Sequence, residues 1–326
     1  MRSGILINLI VVALCVGAVT AGQPAQVNDG AIMVMGAAAP DDPNNVWDPA
    51  QHFTQRWDSV TLLFRADRNA VVPNRSVSVA CVVTLTDGSG LLGLYSTPAK
   101  ILVLDQHGTA IRDTTAISQR DRFYFPPFVI KKFSPSGQLV SEFQPYSFSV
   151  DVPLDANSPC PLLLNKVQWS MFALVTNELK TVDVPFAPST TWVELAPGLQ
   201  ILVEQATVSN GKYQYSIKVK YNRTKASMTS GTIHVSPAEP LPETIVMKMD
   251  VLNAQGKSIQ DQGGGAFGSG GSYSGSGNEM TGTTSGSGSC STCGNAATIR
   301  YTLAIKPYEK EIRFLLENVP VPILWY

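Results

Sequence analysis

The chain is poor in the residues on which most catalytic and metal-binding chemistry draws. It has three histidines, His52, His107 and His234, and five cysteines in 326 residues. Charged residues make up only 15 %, and 24 Lys and Arg against 25 Asp and Glu leave a formal net charge of −1. Gripping nucleic acid calls for a clear basic excess, so no nucleic-acid partner is expected. No stretch sustains a 3.6-residue apolar period between helix caps, which argues against the α/β folds that house most nucleotide-dependent enzymes. Neither the Gly-x-Ser-x-Gly of a nucleophile elbow nor the full glycine-rich phosphate-loop motif occurs.

What the chain has in abundance is apolar residues at period two. Val77, Val79, Cys81, Val83 and Leu85 alternate with mostly smaller or polar neighbours, as do Tyr146, Phe148, Val150, Val152 and Leu154. The same pattern recurs at Tyr213, Tyr215, Ile217, Val219 and Tyr221, at Ile299, Tyr301, Leu303 and Ile305, and at Ile312, Phe314 and Leu316. Successive side chains of a strand point to opposite faces, so each run reads as a strand with one packed and one wet face. With 44 % hydrophobic residues the chain has ample material for a core. Antiparallel sheets and an all-β fold follow.

The first residues read as an export signal. Arg2 gives a positive start, Ile5 to Val19 is almost unbroken in its apolar character, and Val19-Thr20-Ala21 offers small residues for cleavage before Gly22. The run falls short of the ~20 residues that span a bilayer, and basic stop-transfer flanks are missing. Residues 1–21 are thus expected to leave, giving an exported protein that is periplasmic, cell-surface or secreted, with no transmembrane segment in the mature chain. Residues 22–54 read as a linker or N-terminal arm, with turn-formers clustered at Asp41-Asp42-Pro43-Asn44-Asn45.

The remainder divides into two tandem antiparallel β-sandwiches of immunoglobulin-like architecture, 55–160 and 161–326. The boundary falls where Asn157-Ser158-Pro159-Cys160-Pro161 breaks the alternation. A small internal repeat fits this duplication. Val103-Leu104-Asp105 with Gly108 matches Val251-Leu252-Asn253 with Gly256, and each reads as a hairpin turn closed by glycine. Such turns are also common in unrelated β-proteins. Residues 263–294 hold 12 of the 26 glycines, mixed with serine and threonine. Having few large apolar residues, this stretch is expected to be a flexible insertion at a hairpin tip.

Losing Cys15 with the signal leaves Cys81, Cys160, Cys290 and Cys293, an even number suited to disulfides in an exported chain. Cys290 and Cys293 are the expected local pair. For Cys81 and Cys160, a bond and two buried thiols are both open. The Cys-x-x-Cys spacing lacks the helix N-terminus a redox pair needs and the further ligands a zinc ion needs. Gly263 to Gly268 matches a dinucleotide fingerprint in spacing, but no helix can start in the glycine and serine that follow. Asp41, Asp42, Asn44, Asn45 and Asp48 match no calcium loop and read as solvated linker. Lys218, Lys220, Arg223 and Lys225 fall where charge keeps a sheet soluble. Asn74-Arg75-Ser76 and Asn222-Arg223-Thr224 are N-glycosylation sequons, of use only in a eukaryotic host. No catalytic, cofactor-binding or metal-binding residue is assigned.

The sequence therefore leads to an exported non-enzymatic module, structural or interacting, whose partner is a protein or polysaccharide of the cell envelope. The alternative is a carbohydrate-binding module or a sandwich-fold carbohydrate-active hydrolase, since a carboxylate pair leaves no signature in one sequence. Trp192, Trp325 and Tyr326 are the aromatics that such binding would expose.

Overall fold

Apolar residues at every second position give strands, and the chain is built almost wholly of them. The computed structural model describes residues 33–36, 48–65, 74–95, 99–115, 122–127, 129–133, 139–154, 160–228, 232–236, 239–259, 267–289 and 295–321. In chain order the first strands are β1 (Met33–Gly36), β2 (Phe53–Arg65), β3 (Asn74–Leu85), β4 (Leu91–Leu94), β5 (Lys100–Asp105), β6 (Ala110–Thr115) and β7 (Arg122–Tyr124). Then come β8 (Val129–Phe133), β9 (Leu139–Phe143), β10 (Tyr146–Leu154), β11 (Leu163–Val175), β12 (Glu178–Pro185), β13 (Val193–Ala196), β14 (Leu199–Ser209) and β15 (Lys212–Asn222). The last are β16 (Ala226–Met228), β17 (Ile233–Val235), β18 (Thr244–Asn253), β19 (Phe267–Ser276), β20 (Glu279–Ser289), β21 (Ala296–Ile305) and β22 (Tyr308–Pro320). Among the described residues the one helix is α1 (Pro49–His52), where Asp48 accepts from the Ala50 amide at 3.0 Å.

Among the described residues four larger sheets form, antiparallel except where β16 runs parallel to β18. The first is ordered β1-β22-β11-β5-β6, with β4 also on β11, and the second β10-β3-β2. The third is β12-β21-β18-β16 and the fourth β13-β14-β15-β20-β19. Two ribbons, β7 with β17 and β8 with β9, complete the set. The first two sheets share a core in which Val77, Val79 and Val150 meet Val167, Trp169 and Phe314. Trp169 stacks on Phe314 with ring centroids 5.4 Å apart. The third and fourth share a second core, where Ile299, Tyr301 and Leu303 meet Ile201, Val203 and Tyr215.

The strands after residue 160 divide between these cores. β11 and β22 pair from Leu163↔Pro320 to Val175↔Tyr308 in the first sheet. β12 and β21 carry the same ribbon onward from Glu178↔Ile305 to Pro185↔Thr298 in the third. The boundary expected at Cys160 is therefore crossed: the second core is inserted between β11 and β22 and does not simply follow the first. Alternation locates strands but does not name their partners, and β11 pairs with a strand more than a hundred residues away.

At the crossing, the buried Thr176 hydroxyl donates to the Ile305 carbonyl at 2.6 Å and accepts from the Glu178 amide at 3.1 Å. Lys306 sits beside it at φ 47°, its amide bonded to the Glu243 carbonyl. A third, smaller cluster fills the junction, with Leu92, Tyr124, Leu174, Ile233, Val235, Ile245 and Ala304.

The glycine-rich stretch corrects the expectation of a flexible insertion. Its described part, residues 267–289, is a hairpin that adds two strands to the fourth sheet, β20 pairing with β15 from Lys212↔Ser289 to Asn222↔Glu279. Gly277 opens its two-residue turn at φ 63°, as a type II′ turn requires. The physical reason lies on β15, whose inward Tyr215 needs a facing position without a side chain. A Cβ on Gly286 would stand 2.3 Å from the Tyr215 hydroxyl, and one on Gly282 would stand 2.4 Å from the Tyr273 ring. The tyrosines supply the bulk that the glycines omit, so the pair fills the layer.

The two glycine-closed turns do match. Asp105 Oδ1 accepts from the amides of His107 and Thr109, and Asn253 Oδ1 from those of Gln255 and Lys257. Gly108 and Gly256 take φ values of 78° and 73°.

Two substitutions test these contacts. Gly to Ala within a strand ordinarily gains ~0.5–1 kcal/mol, yet Gly286→Ala should lose about 1–3 kcal/mol because Tyr215 must move. A neutral or stabilising effect in denaturant unfolding would mean that β20 does not pack on Tyr215. Thr176→Val keeps shape but removes both hydrogen bonds, and should cost about 1–3 kcal/mol by the same measurement.

Candidate functional site

Residues opposite one another on paired strands share a face, so register alone assembles a polar stripe on the first sheet. Trp169 and Met171 of β11 point into the core, which sends Gln168, Ser170, Phe172 and Leu174 to the other side. Ser170 stands between Lys100 of β5 and Arg313 of β22, Phe172 beside Glu311, and Leu174 beside Glu309. Glu309, Glu311 and Arg313 thus line one edge of the stripe.

Toward Leu174 the stripe is covered by β7. Arg122 donates to Glu309 Oε1 at 2.6 Å, and its guanidinium lies 3.9 Å from the centre of the Phe172 ring. The Tyr124 hydroxyl donates to the same carboxylate oxygen. Burial, followed by that bond to Glu309, pushes the Tyr124 phenol well above its ordinary range, while Arg122 pulls the other way. Tyr124 therefore stays protonated as a donor throughout the physiological range. A small cavity of about 140 Å³ opens beside Arg122 and Glu309, with Ser236 and Glu239 on its wall. This group can orient the β7–β17 ribbon against the first sheet by directional bonds over apolar packing.

Toward Ser170 the stripe is open. Lys100 Nζ and Arg313 Nη2 each lie 3.7 Å from a Glu311 oxygen, ion pairs too long to be hydrogen bonds. A pocket of about 180 Å³ runs along Lys100, Asp113, Gln168, Ser170, Glu311 and Arg313. Ser170 is 2 % exposed, and neither its Oγ nor Glu311 Oε1 has a hydrogen-bond partner among the described residues.

The residues singled out in the sequence do not converge. Cys290 and Cys293 lie outside the described residues, as do Trp325 and Tyr326 and, except for Asp48, the acidic linker cluster. Cys81 and Cys160 are thiols and are not bonded to each other. Cys81 sits in the first core, where burial pushes its thiol up to about 12, and Cys160 packs at that core's margin. His52 ends α1 with Nδ1 3.0 Å from the Asp87 carbonyl, His107 lies in the exposed turn after β5, and His234 packs tilted against Phe123 with ring centroids 4.8 Å apart. Lys218 pairs with Glu204 at 2.6 Å, and Lys225 pairs with Glu243, so part of the basic cluster is neutralised. Asn222 Oδ1 accepts from the Thr224 hydroxyl at 2.7 Å within an exposed sequon turn. Trp192 is 43 % exposed.

Comparison with protein families, with curated proteins and with solved structures returns no match. No helix among the described residues is long and apolar enough to cross a membrane.

Sequence reading misses both ends of the stripe. Arg122 and Glu309 are 187 residues apart, and nothing local links them. Ser170 reads as an ordinary wet-face residue between Trp169 and Met171, yet it is buried where it stands between Lys100 and Arg313. For Cys81 the structure makes a direct prediction. Its thiolate is absent near pH 8, so iodoacetamide should leave it unmodified in the native protein and label it rapidly on unfolding. Labelling of native Cys81 within minutes would place the thiol nearer the surface.

Proposed function

We propose that this chain is an exported, non-enzymatic interaction module built of two immunoglobulin-like sandwich units, the second carried as an insertion in the first. Residues 1–21 are removed on export, and Cys290 and Cys293 are joined in the oxidising compartment. The mature protein works outside the cytoplasm against a protein or polysaccharide partner of the cell envelope.

The observation that carries this reading is the edge of the fourth sheet at β19, beyond which no strand pairs among the described residues. β19 is ten residues long and contains neither a charged residue nor proline. Edge strands that must stay unpaired are normally blunted by charge, proline or brevity. The other edges of the four sheets follow that rule: Arg112 and Asp113 mark β6, Asp151 and Pro153 mark β10, Arg56 and Asp58 mark β2, Glu178, Lys180 and Asp183 mark β12, and β1, β13 and β16 have four, four and three residues. An unblunted backbone edge accepts another extended segment through main-chain hydrogen bonds, and this supports an interaction role.

The test places lysines on that edge. Ser272 and Ser274 are exposed, so Ser272→Lys with Ser274→Lys should leave the melting temperature within a few degrees. The wild-type chain, beginning near Gly22 by mass spectrometry, should fractionate with the envelope of the producing cells, and the variant should be released. Recovery of intact Met1 in the cytoplasm, or unchanged retention of the variant, would overturn the reading.

A further inference from the structure

We propose that the pocket between Lys100, Asp113, Gln168, Ser170, Glu311 and Arg313 binds a neutral hydroxyl-bearing ligand of the sugar or cyclic polyol class. This deepens the module reading by naming a ligand class, and it does not depend on the β19 edge. Two observations point to a ligand independently of the pocket's shape. Ser170 Oγ is buried with no hydrogen-bond partner among the described residues, Glu311 Oε1 has only its 3.7 Å ion pair to Lys100, and both residues line the same cavity. Leaving such groups unpaired is costly, and native structures rarely do so without a water or ligand to bond them.

The charges choose the ligand. Lys100 and Arg313 stand against Asp113 and Glu311, two cations and two carboxylates, so the lining is neutral. An anion reaching Ser170 meets Glu311, and a cation meets Lys100 and Arg313. A neutral group with hydroxyls meets neither penalty. Both atoms have essentially no exposed surface, so the side chains over them must part before one ligand hydroxyl donates to Glu311 Oε1 and its neighbour bonds the Ser170 hydroxyl. Lys100 and Arg313, held 3.7 Å from Glu311, keep donors for the ligand's oxygens. The cavity of about 180 Å³ is many times the ~10–15 Å³ that a single water needs, room for a single ring.

The test uses the full mature chain with methyl α-glucoside, methyl β-galactoside and myo-inositol as neutral probes. Glucuronate and glucosamine serve as the charged ones, and all are titrated by saturation-transfer NMR and calorimetry. At least one neutral probe should saturate in the millimolar range, with the charged probes about tenfold weaker or worse. Ser170→Ala should weaken the neutral probe about tenfold, the loss of one hydrogen bond to a polar site, while the melting temperature holds or rises because an orphaned hydroxyl is gone. Glu311→Gln should weaken the neutral probe and admit glucuronate. The site is refuted if no neutral probe saturates by about 50 mM, which leaves only water in the pocket. It is equally refuted if Ser170→Ala binds like wild type or melts more than ~5 °C lower, since the hydroxyl would then be a structural anchor. The edge-lysine variant keeps this pocket, so absent sugar binding alongside edge-dependent envelope retention would sink the site and leave the module reading standing.

Discussion

The arrangement depends on one continuous two-stranded ribbon that passes from one core to the other. β11 with β22 supplies the centre of the first sheet, and β12 with β21 supplies part of the third. The two strands of the ribbon change sheets at Thr176–Asn177 and at Lys306–Pro307, at the same level. Backbone groups at such a bend lose their ladder partners and must find others. The Thr176 hydroxyl takes the Ile305 carbonyl and the Glu178 amide, and the Tyr308 hydroxyl donates to Asn177 Oδ1 at 2.9 Å. If this bend were unsatisfied, neither core would have a fixed position for the strands it takes from the ribbon.

The same ribbon explains where the polar groups lie. Its face away from the first core carries Glu309, Glu311 and Arg313 at the strand period, and two different partners answer them. β7 brings Arg122 and Tyr124 over Glu309 and closes that end with directional bonds. Lys100, on neighbouring β5, reaches Glu311 only at 3.7 Å and leaves that end open. One strand therefore provides a sealed structural contact and an unsaturated pocket a few residues apart. The difference between them comes from the cover, since the ribbon residues are of similar kind.

The hairpin of β19 and β20 shows how composition misleads when only apolar residues are counted. Between Glu279 and Ser289 glycine recurs at 282, 286 and 288, opposite Val219, Tyr215 and Tyr213 of β15, with Ser or Thr on the alternate positions. That is the same period of two that marks every other strand, written in small residues. Gly277-Asn278 between the two runs is a hairpin signal as well. Burial here comes from Tyr215 and Tyr273 lying over their glycine neighbours, so the sheet gains packed area with Met280 as the one large apolar side chain on β20.

By itself the sequence determined that the fold is nearly all β, because side chains on a strand alternate and the apolar residues follow that alternation. It also determined the two matched turns, because Asp105 and Asn253 bond their own following amides and Gly108 and Gly256 tolerate positive φ. These are local consequences of residue type. Only the tertiary structure decided that β11 leaves its sequence neighbours to pair with β22, and that the glycine-rich hairpin belongs to a sheet. It alone buried Ser170 against Lys100, Glu311 and Arg313, and set Arg122 on Glu309. Each of these joins residues far apart in the chain, where pairing is selected by which faces fill a common core, and that choice leaves no mark at a fixed spacing.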